Sequence, residues 1–144
     1  MKNITLISAF ILLCALQSSA QGEIIANINN LKNDNGVCRA CLFNKNESLK
    51  TEAGGAVVCL SAGVKNKTSK VIFRNVPVGN YAVIVFHDEN SNSKIDKNFL
   101  GIPKEGYGAS KNKLPFASAP AFKPNSFLLT PHDIVTLDIR LRYL

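Results

Sequence analysis

The run Tyr81-Ala-Val-Ile-Val-Phe-His87 constrains the fold of this chain more than any other segment. Its β-branched and aromatic residues favour a strand, and its apolar side chains would alternate between both faces of that strand. Such a strand has to lie between two layers of structure, because neither of its faces can be left in water. We therefore expect a central strand at residues 81–87 and a layered β domain around it.

Other segments add strands to this centre. Similar signals occupy residues 23–30, 37–43, 56–61 and 71–75, with turn-forming residues between them. Near the C-terminal end, apolar residues alternate with polar ones, which predicts one buried and one wet face; the apolar members are Val135, Leu137, Ile139, Leu141 and Tyr143. No long segment has helical periodicity with caps. We predict an all-β fold: a two-sheet β-sandwich of about seven strands, immunoglobulin-like or transthyretin-like in kind.

The first twenty residues have the order of a secretory signal peptide. Lys2 is followed by an apolar run from Ile4 to Leu16 and then by small and polar residues, with a cleavage point near Ala20/Gln21. The apolar run is shorter than the roughly 20 residues that a membrane-spanning helix needs, so no membrane span is expected. We predict a signal peptide at residues 1–20, a single β-sandwich domain at residues 21–144, and a periplasmic or secreted location.

Three of the four cysteines lie beyond the predicted signal peptide: Cys38, Cys41 and Cys59. Cys38 and Cys41 lie three residues apart on a predicted strand, which puts them on opposite faces and about 10 Å apart, beyond the roughly 7 Å limit for a disulfide. Two arrangements stay open: a disulfide from Cys41 to Cys59 across neighbouring strands, or buried unpaired thiols that fill core space. A redox or zinc role is not expected, because no second ligand pair accompanies the first.

A polar loop follows the central strand, and its spacing is that of a calcium loop. Oxygen-bearing side chains occupy the first, third, fifth and ninth positions, with a backbone carbonyl available at the seventh; these residues are Asp88, Asn90, Asn92, Asp96 and Lys94. Ser93 replaces the usual glycine and Phe99 stands in place of the bidentate glutamate, so any Ca²⁺ affinity should be weak. The alternative, equally open, is a metal-free loop whose Asp and Asn side chains bond their own backbone.

The next segment, residues 100–110, is rich in glycine and irregular in pattern. Long loops in small domains often bind ligands, and glycines on both sides of Tyr107 would let its ring stand exposed. We therefore predict Glu105, Tyr107 and Ser110 as ligand contacts. The alternative is that Tyr107 packs over the edge of the sheet.

Catalysis and nucleic-acid binding are both disfavoured. His87, Asp88 and Glu105 could be combined as acid and base groups, but the sequence contains no nucleophile elbow, metalloprotease motif, phosphate loop or dinucleotide fingerprint. We expect no enzyme activity. The 17 Lys and Arg against 10 Asp and Glu give a formal net charge of +7. This charge is spread along the chain and is not interleaved with aromatic residues, so nucleic acid is not an expected partner.

One long run carries a family resemblance. The segment NVPVGNYAVIVFHDENSNSKIDKNFLGIPKEGYGAS, from Asn75 to Ser110, resembles the bacterial family catalogued as domain of unknown function 2141. The resemblance is densest from Asn75 to Phe122, with departures at Ser93, where the family usually has glycine, and at Ala109, where it often has phenylalanine. It implies an exported bacterial protein of small β type and no established activity, so it assigns no catalytic residues.

These observations together favour a non-catalytic binding or accessory module of the bacterial envelope. Its expected partner is an envelope protein or a glycan, and the loop after the central strand could be ordered by weakly bound Ca²⁺. The alternative is a structural envelope domain that packs on a partner protein.

Overall fold

The computed structural model describes residues 20–44, 55–116 and 118–144. Apart from Ala20, the predicted signal peptide lies outside the described residues. The described chain forms eight strands and one short helix: β1 (Gln21–Asn29), β2 (Val37–Phe43), β3 (Val58–Gly63), β4 (Ser69–Pro77), β5 (Gly79–Asp88), β6 (Tyr107–Ala109), α1 (Phe122–Asn125), β7 (Phe127–Leu129) and β8 (Ile134–Arg140).

The strands assemble into two sheets that pack as a sandwich. One sheet has three strands in the order β4-β1-β8, in which β1 and β8 run parallel. The other has the order β3-β2-β5-β6, and β7 pairs with the beginning of β5. The predicted all-β sandwich is confirmed. The strand count exceeds the expected seven because β6 and β7 are only three residues long and carry no alternation of their own.

Strand β5 is the covered centre that its sequence predicts. Side chains on one face enter the cluster between the sheets, whose members include Tyr81, Val83, Val85, Ile24, Phe73 and Ile139. On the other face, Ala82 and Ile84 pack with Phe122 of the short helix, and Phe86 packs with Tyr107. Both faces are dry, so the polar groups at the end of β5 are set on a rigid base.

A disulfide links the neighbouring strands β2 and β3. Cys41 and Cys59 are directly opposite each other in the antiparallel ladder, with a Cα–Cα distance of 4.1 Å and an S–S bond of 2.04 Å. Cys38 faces the opposite side of β2, where it is buried as a free thiol. Burial raises the pKa of Cys38 to about 12, so it stays protonated at neutral pH. Among the described residues, the structure therefore combines one bridge with one buried thiol.

In residues 20–44, 55–116 and 118–144, no helix is long and apolar enough to cross a membrane.

Candidate functional site

The long connection from β5 to β6, residues 89–106 and here called the β5–β6 loop, begins at a buried carboxylate. Asp88 is 1% exposed, and its two oxygens accept hydrogen bonds from the backbone N–H groups of Asn92 at 2.9 Å and Ser93 at 2.8 Å. Ser91 and Ser93 adopt left-handed backbone conformations, with φ of 57° and 64°. Asp88 thus holds the first turn of the loop against the end of β5 through backbone N–H groups four and five residues further along the chain.

Asp96 closes the same turn from the other side. It accepts hydrogen bonds from the side-chain amides of Asn90 at 2.7 Å and Asn92 at 3.1 Å. The Asn92 side-chain oxygen accepts the backbone N–H of Lys94 at 2.9 Å, while the Lys94 side chain is exposed. The structure therefore brings together all five residues of the predicted calcium set, and it ties them by hydrogen bonds to one another.

These bonds bear on the calcium hypothesis. A Ca²⁺ ion needs oxygen atoms pointing at a common centre, whereas here Asn90 and Asn92 direct N–H groups at Asp96. Among the described residues, no group of three or more His, Cys, Asp and Glu side chains is arranged to hold a metal. The hydrogen bonds seen here are those of the self-bonded alternative, and calcium binding stays a hypothesis that would require the Asn90 and Asn92 amides to turn their oxygens inward.

Glu105 clamps the two ends of this polar turn. It is 4% exposed, and its oxygens accept the backbone N–H groups of Glu89 at 3.0 Å and Asp96 at 2.9 Å. Burial raises the pKa of Glu105, and the two backbone hydrogen bonds oppose that rise. The side chain predicted as a ligand contact is instead an internal brace that joins residues 89 and 96 across the loop.

The other two predicted ligand contacts are also internal. Tyr107 is 5% exposed and packs with Phe86 and Ile95, so the expectation of an exposed ring is wrong and the packing alternative holds. Ser110 is 5% exposed; its hydroxyl donates to the carbonyl of Asn125 at 2.6 Å and accepts the N–H of Val83 at 3.1 Å. Neither side chain offers an accessible surface to a ligand.

The glycines beside Tyr107 explain this outcome. A Cβ atom at Gly106 would lie 2.4 Å from Cζ of Tyr143, and one at Gly108 would lie 2.7 Å from Cγ2 of Ile139. The missing side chains let β6 approach the C-terminal segment closely enough for Tyr107 to form an isolated bridge with Arg142, just beyond β8. Close packing, rather than exposure of the ring, is what the glycines permit.

The histidine at the end of β5 is fully engaged. His87 is 0% exposed; its Nε2 lies 2.8 Å from the carbonyl oxygen of Asn35, and its Nδ1 lies 3.2 Å from the hydroxyl of Tyr143. A carbonyl can only accept, so Nε2 carries the proton and the Tyr143 hydroxyl donates to Nδ1. Because neighbouring residues on a strand face opposite sides, His87 and Asp88 point away from each other. His87, Asp88 and Glu105 therefore do not point at a common site as acid and base groups would.

A feature that was not predicted from the sequence lies at the far end of the loop. Residues 98–101 form a tight turn in which the N–H of Gly101 donates to the Asn98 carbonyl at 2.9 Å. The Asn98 side-chain oxygen accepts the N–H groups of Leu100 at 2.9 Å and Ile102 at 3.0 Å. Phe99 and Leu100, at the centre of this turn, are 95% and 67% exposed. The sequence carried a signal for this feature, because Asn98 and Gly101 stand at the first and fourth positions of a turn and turns lie at the surface, so Phe99 and Leu100 between them would be exposed.

We call Phe99, Leu100 and Ile102 the apolar tip; Ile102 is 39% exposed. A bridge between Lys97 and Pro103 and a hydrogen bond of 2.8 Å from the N–H of Lys104 to the Asp96 carbonyl hold the tip on a small hairpin. Three exposed lysines of the same loop, Lys94, Lys97 and Lys104, flank the tip in sequence, and we call them the lysine collar. The β5–β6 loop therefore has a hydrogen-bonded polar base and a convex, apolar end.

Comparison with known proteins identifies the family. The family model described as "Uncharacterized protein conserved in bacteria (DUF2141)" matches residues 26–136, which run from inside β1 to inside β8. The chain belongs to this family. The DUF2141 match confirms the resemblance carried by residues 75–110 and includes the whole β5–β6 loop. No curated protein and no solved structure matches this DUF2141 chain.

Proposed function

We propose that this chain is an exported, non-catalytic binding or accessory module of the bacterial envelope, and that the apolar tip is its binding element. The observation that carries the proposal is the exposure of Phe99, at 95%, and of Leu100, at 67%, on a loop whose base is buried and braced. Adjacent large apolar side chains that a rigid scaffold holds in water are typical of interaction sites.

Two observations support export. The first strand begins at Gln21, directly after the cleavage point expected near Ala20/Gln21. The disulfide between Cys41 and Cys59 suits an oxidising compartment such as the periplasm or the cell exterior.

The state of the candidate acid and base groups supports a non-catalytic role. His87, Asp88 and Glu105 are all buried, and each makes hydrogen bonds within the protein. Throughout the described parts of the chain, every buried side-chain nitrogen and oxygen has a hydrogen-bond partner. Catalysis by these residues would require them to leave those partners first.

Cell fractionation tests the proposal. The full chain, tagged at its C-terminal end, is expressed in a bacterial host, and the periplasmic, envelope and cytoplasmic fractions are separated. We expect mass spectrometry to find a chain that begins at Gln21, and part of it to sediment with the envelope. The Phe99→Ser/Leu100→Ser variant should move to the soluble periplasmic fraction with an unchanged Tm, because both side chains are exposed.

A matched control is available at the opposite end of the sandwich. Leu128 and Ile134 are 60% and 67% exposed beside the first residues of β5 and β1. The Leu128→Ser/Ile134→Ser variant likewise removes two exposed large apolar side chains and should distribute like the wild type. An uncleaved chain that stays in the cytoplasm, or a tip variant that distributes like the wild type, contradicts the proposal. Envelope retention that both variants keep would favour the alternative of a structural domain that packs on a partner protein.

A further inference from the structure

We propose that the apolar tip enters the surface of a lipid bilayer and that the lysine collar binds the anionic headgroups around it. The proposal rests on the proposed function and names the envelope component that the tip contacts. Phe99, Leu100 and Ile102 would lie at the boundary between headgroups and acyl chains, which is where the apolar residues of peripheral proteins bind.

Four of the five backbone N–H groups from Asn98 to Ile102 have acceptors within the turn, whereas that of Phe99 has none among the described residues. The N–H groups of Leu100, Gly101 and Ile102 all donate to oxygens of Asn98, and the N–H of Asn98 donates to the Ile102 carbonyl at 2.9 Å. A backbone amide that enters lipid without a partner is strongly unfavourable. These four amides already have acceptors within the turn, so moving the tip out of water breaks none of their hydrogen bonds.

The charges around the tip favour an anionic surface. The three lysines of the collar are exposed, and in the part of the chain that the structure describes none of them forms an ion pair. The acidic groups of the loop are set back at its polar base: Asp88 and Glu105 are 1% and 4% exposed, and Glu89 and Asp96 are half-buried, so the exposed charges of the loop are the three lysines. Each lysine close to an anionic leaflet strengthens binding by about fivefold at moderate ionic strength.

The shape of the tip favours lipid over a protein partner. The tip is convex and presents three apolar side chains, whereas a stable protein interface covers roughly 800 Å² and about 20 residues on each partner. A bilayer needs no complementary groove, because its acyl chains rearrange around the inserted side chains. The turn from Asn98 to Gly101 can therefore be covered by lipid without any contribution from the flanking strands.

Protein-free vesicles provide the test. The exported, disulfide-bonded full chain is mixed with phosphatidylcholine vesicles that contain or lack phosphatidylglycerol, and co-flotation is measured. We expect binding to the anionic vesicles only. Phe99→Ser/Leu100→Ser should weaken it by at least about tenfold, since the apolar contacts are lost. Lys94→Gln/Lys97→Gln/Lys104→Gln should abolish the dependence on phosphatidylglycerol, and Leu128→Ser/Ile134→Ser should bind like the wild type.

Fluorescence reports insertion directly, because the chain contains no tryptophan. Phe99→Trp places a single indole at the tip, and its emission should shift to shorter wavelength on anionic vesicles. Phe116→Trp is the matched control, since Phe116 is 85% exposed outside the tip and its indole should stay in water. Equal shifts in both variants would mean that the protein binds through some other face.

The outcomes separate this inference from the proposed function. If the tip variant leaves the envelope fraction in cells but the wild type binds neither kind of vesicle, the proposed function holds and the lipid inference is overturned in favour of an envelope protein or glycan. Binding that is equal on neutral and anionic vesicles overturns the role of the lysine collar. If the wild type binds anionic vesicles but the tip variant stays in the envelope of cells, another surface causes retention and the proposed function fails.

Discussion

Glu105 controls the base of the candidate site more directly than any other single residue. Its two oxygens accept the backbone N–H groups of Glu89 and Asp96, and it is 4% exposed. Glu105→Gln would place a side-chain N–H group against one of these backbone N–H groups. We expect a loss of about 1–3 kcal/mol in the free energy of unfolding, because a buried donor would then lack its acceptor. Urea denaturation at neutral pH measures the loss, and a variant as stable as the wild type would show that the brace is not needed.

The same residue sets an expected pH dependence. Burial raises the pKa of Glu105 above its ordinary value of 4.5, so the folded state binds the proton more tightly than the unfolded state. Its contribution to stability is complete below pH 4.5 and declines as pH rises through the folded-state pKa. The wild type should therefore lose stability across this window relative to Glu105→Gln. A difference between the two proteins that is constant with pH, or that changes in the opposite direction, would contradict the assignment.

Tyr143 links the exposed residue Lys32 to the buried His87 through one hydroxyl group. That hydroxyl accepts the N–H of Lys32 at 2.7 Å and donates to Nδ1 of His87 at 3.2 Å. Tyr143→Phe should destabilise the fold by about 1–3 kcal/mol, because both partners lose a bond. Tyr107→Phe is the control: no protein hydrogen bond joins the Tyr107 hydroxyl to the described residues, and since no buried side-chain oxygen there lacks a partner, this hydroxyl reaches water and its loss should cost little. Equal losses in the two variants, measured by thermal unfolding, would mean that the link carries no stability.

At the level of elements, the β1–β2 turn supports the β5–β6 loop. Gly36 has φ of 64°, and a Cβ atom there would lie 2.0 Å from the carbonyl oxygen of Asp88. Gly36→Ala should lower the free energy of unfolding by more than about 3 kcal/mol, since the clash is with backbone that cannot turn away. Gly63→Ala is the matched control, because open space surrounds that position, and it should be close to neutral. Comparable stability of the two variants would show that the turn and the loop are not in firm contact.

The effect of Ca²⁺ on stability tests whether the polar part of the β5–β6 loop binds this ion. Since Asn90 and Asn92 already satisfy Asp96, we expect millimolar Ca²⁺ or a chelator to leave the Tm unchanged. A rise of several degrees that Asp96→Asn abolishes would instead support the calcium-stabilised loop. The Leu128→Ser/Ile134→Ser variant, altered far from the loop, should respond to Ca²⁺ in the same way as the wild type.

At the scale of the whole molecule, sequence periodicity predicted those strands in which buried residues recur at regular positions. Residues 81–87 lie in β5, which is buried on both faces, and residues 37–43 form β2, which is buried on one face along its full length. Each strand therefore has a regular apolar pattern in the sequence. The three-residue strands β6 and β7 were not predicted, because they depend on partners distant in sequence. Tyr107 was misplaced for the same reason: the ring of Tyr143, which occupies the space at Gly106, comes 36 positions later than Tyr107 in the sequence.

The candidate site shows where local spacing stops being informative. Alternating Asp and Asn residues suit both a calcium loop and a chain of Asx turns, since each uses side-chain oxygens at every second position. What distinguishes the two is the direction of the Asn90 and Asn92 amides and the brace from Glu105, neither of which the spacing encodes. The apolar tip, by contrast, was visible in the turn sequence from Asn98 to Gly101.

Removal of the disulfide would show how much stability the two sheets provide without a covalent link. Cys41 and Cys59 close a loop with a sequence separation of 18, and a loop of this length is worth about 3 kcal/mol by restriction of the unfolded chain. Cys41→Ala/Cys59→Ala should lose about this amount yet remain folded, because the main cluster between the sheets does not include either residue. Reductant should lower the Tm of the wild type and leave that of the double variant unchanged. Cys38→Ala, which keeps the bridge, should retain the sensitivity to reductant. If the double variant is unfolded at room temperature, the bridge rather than the sandwich core decides whether this chain folds, and folding would then require export to an oxidising compartment.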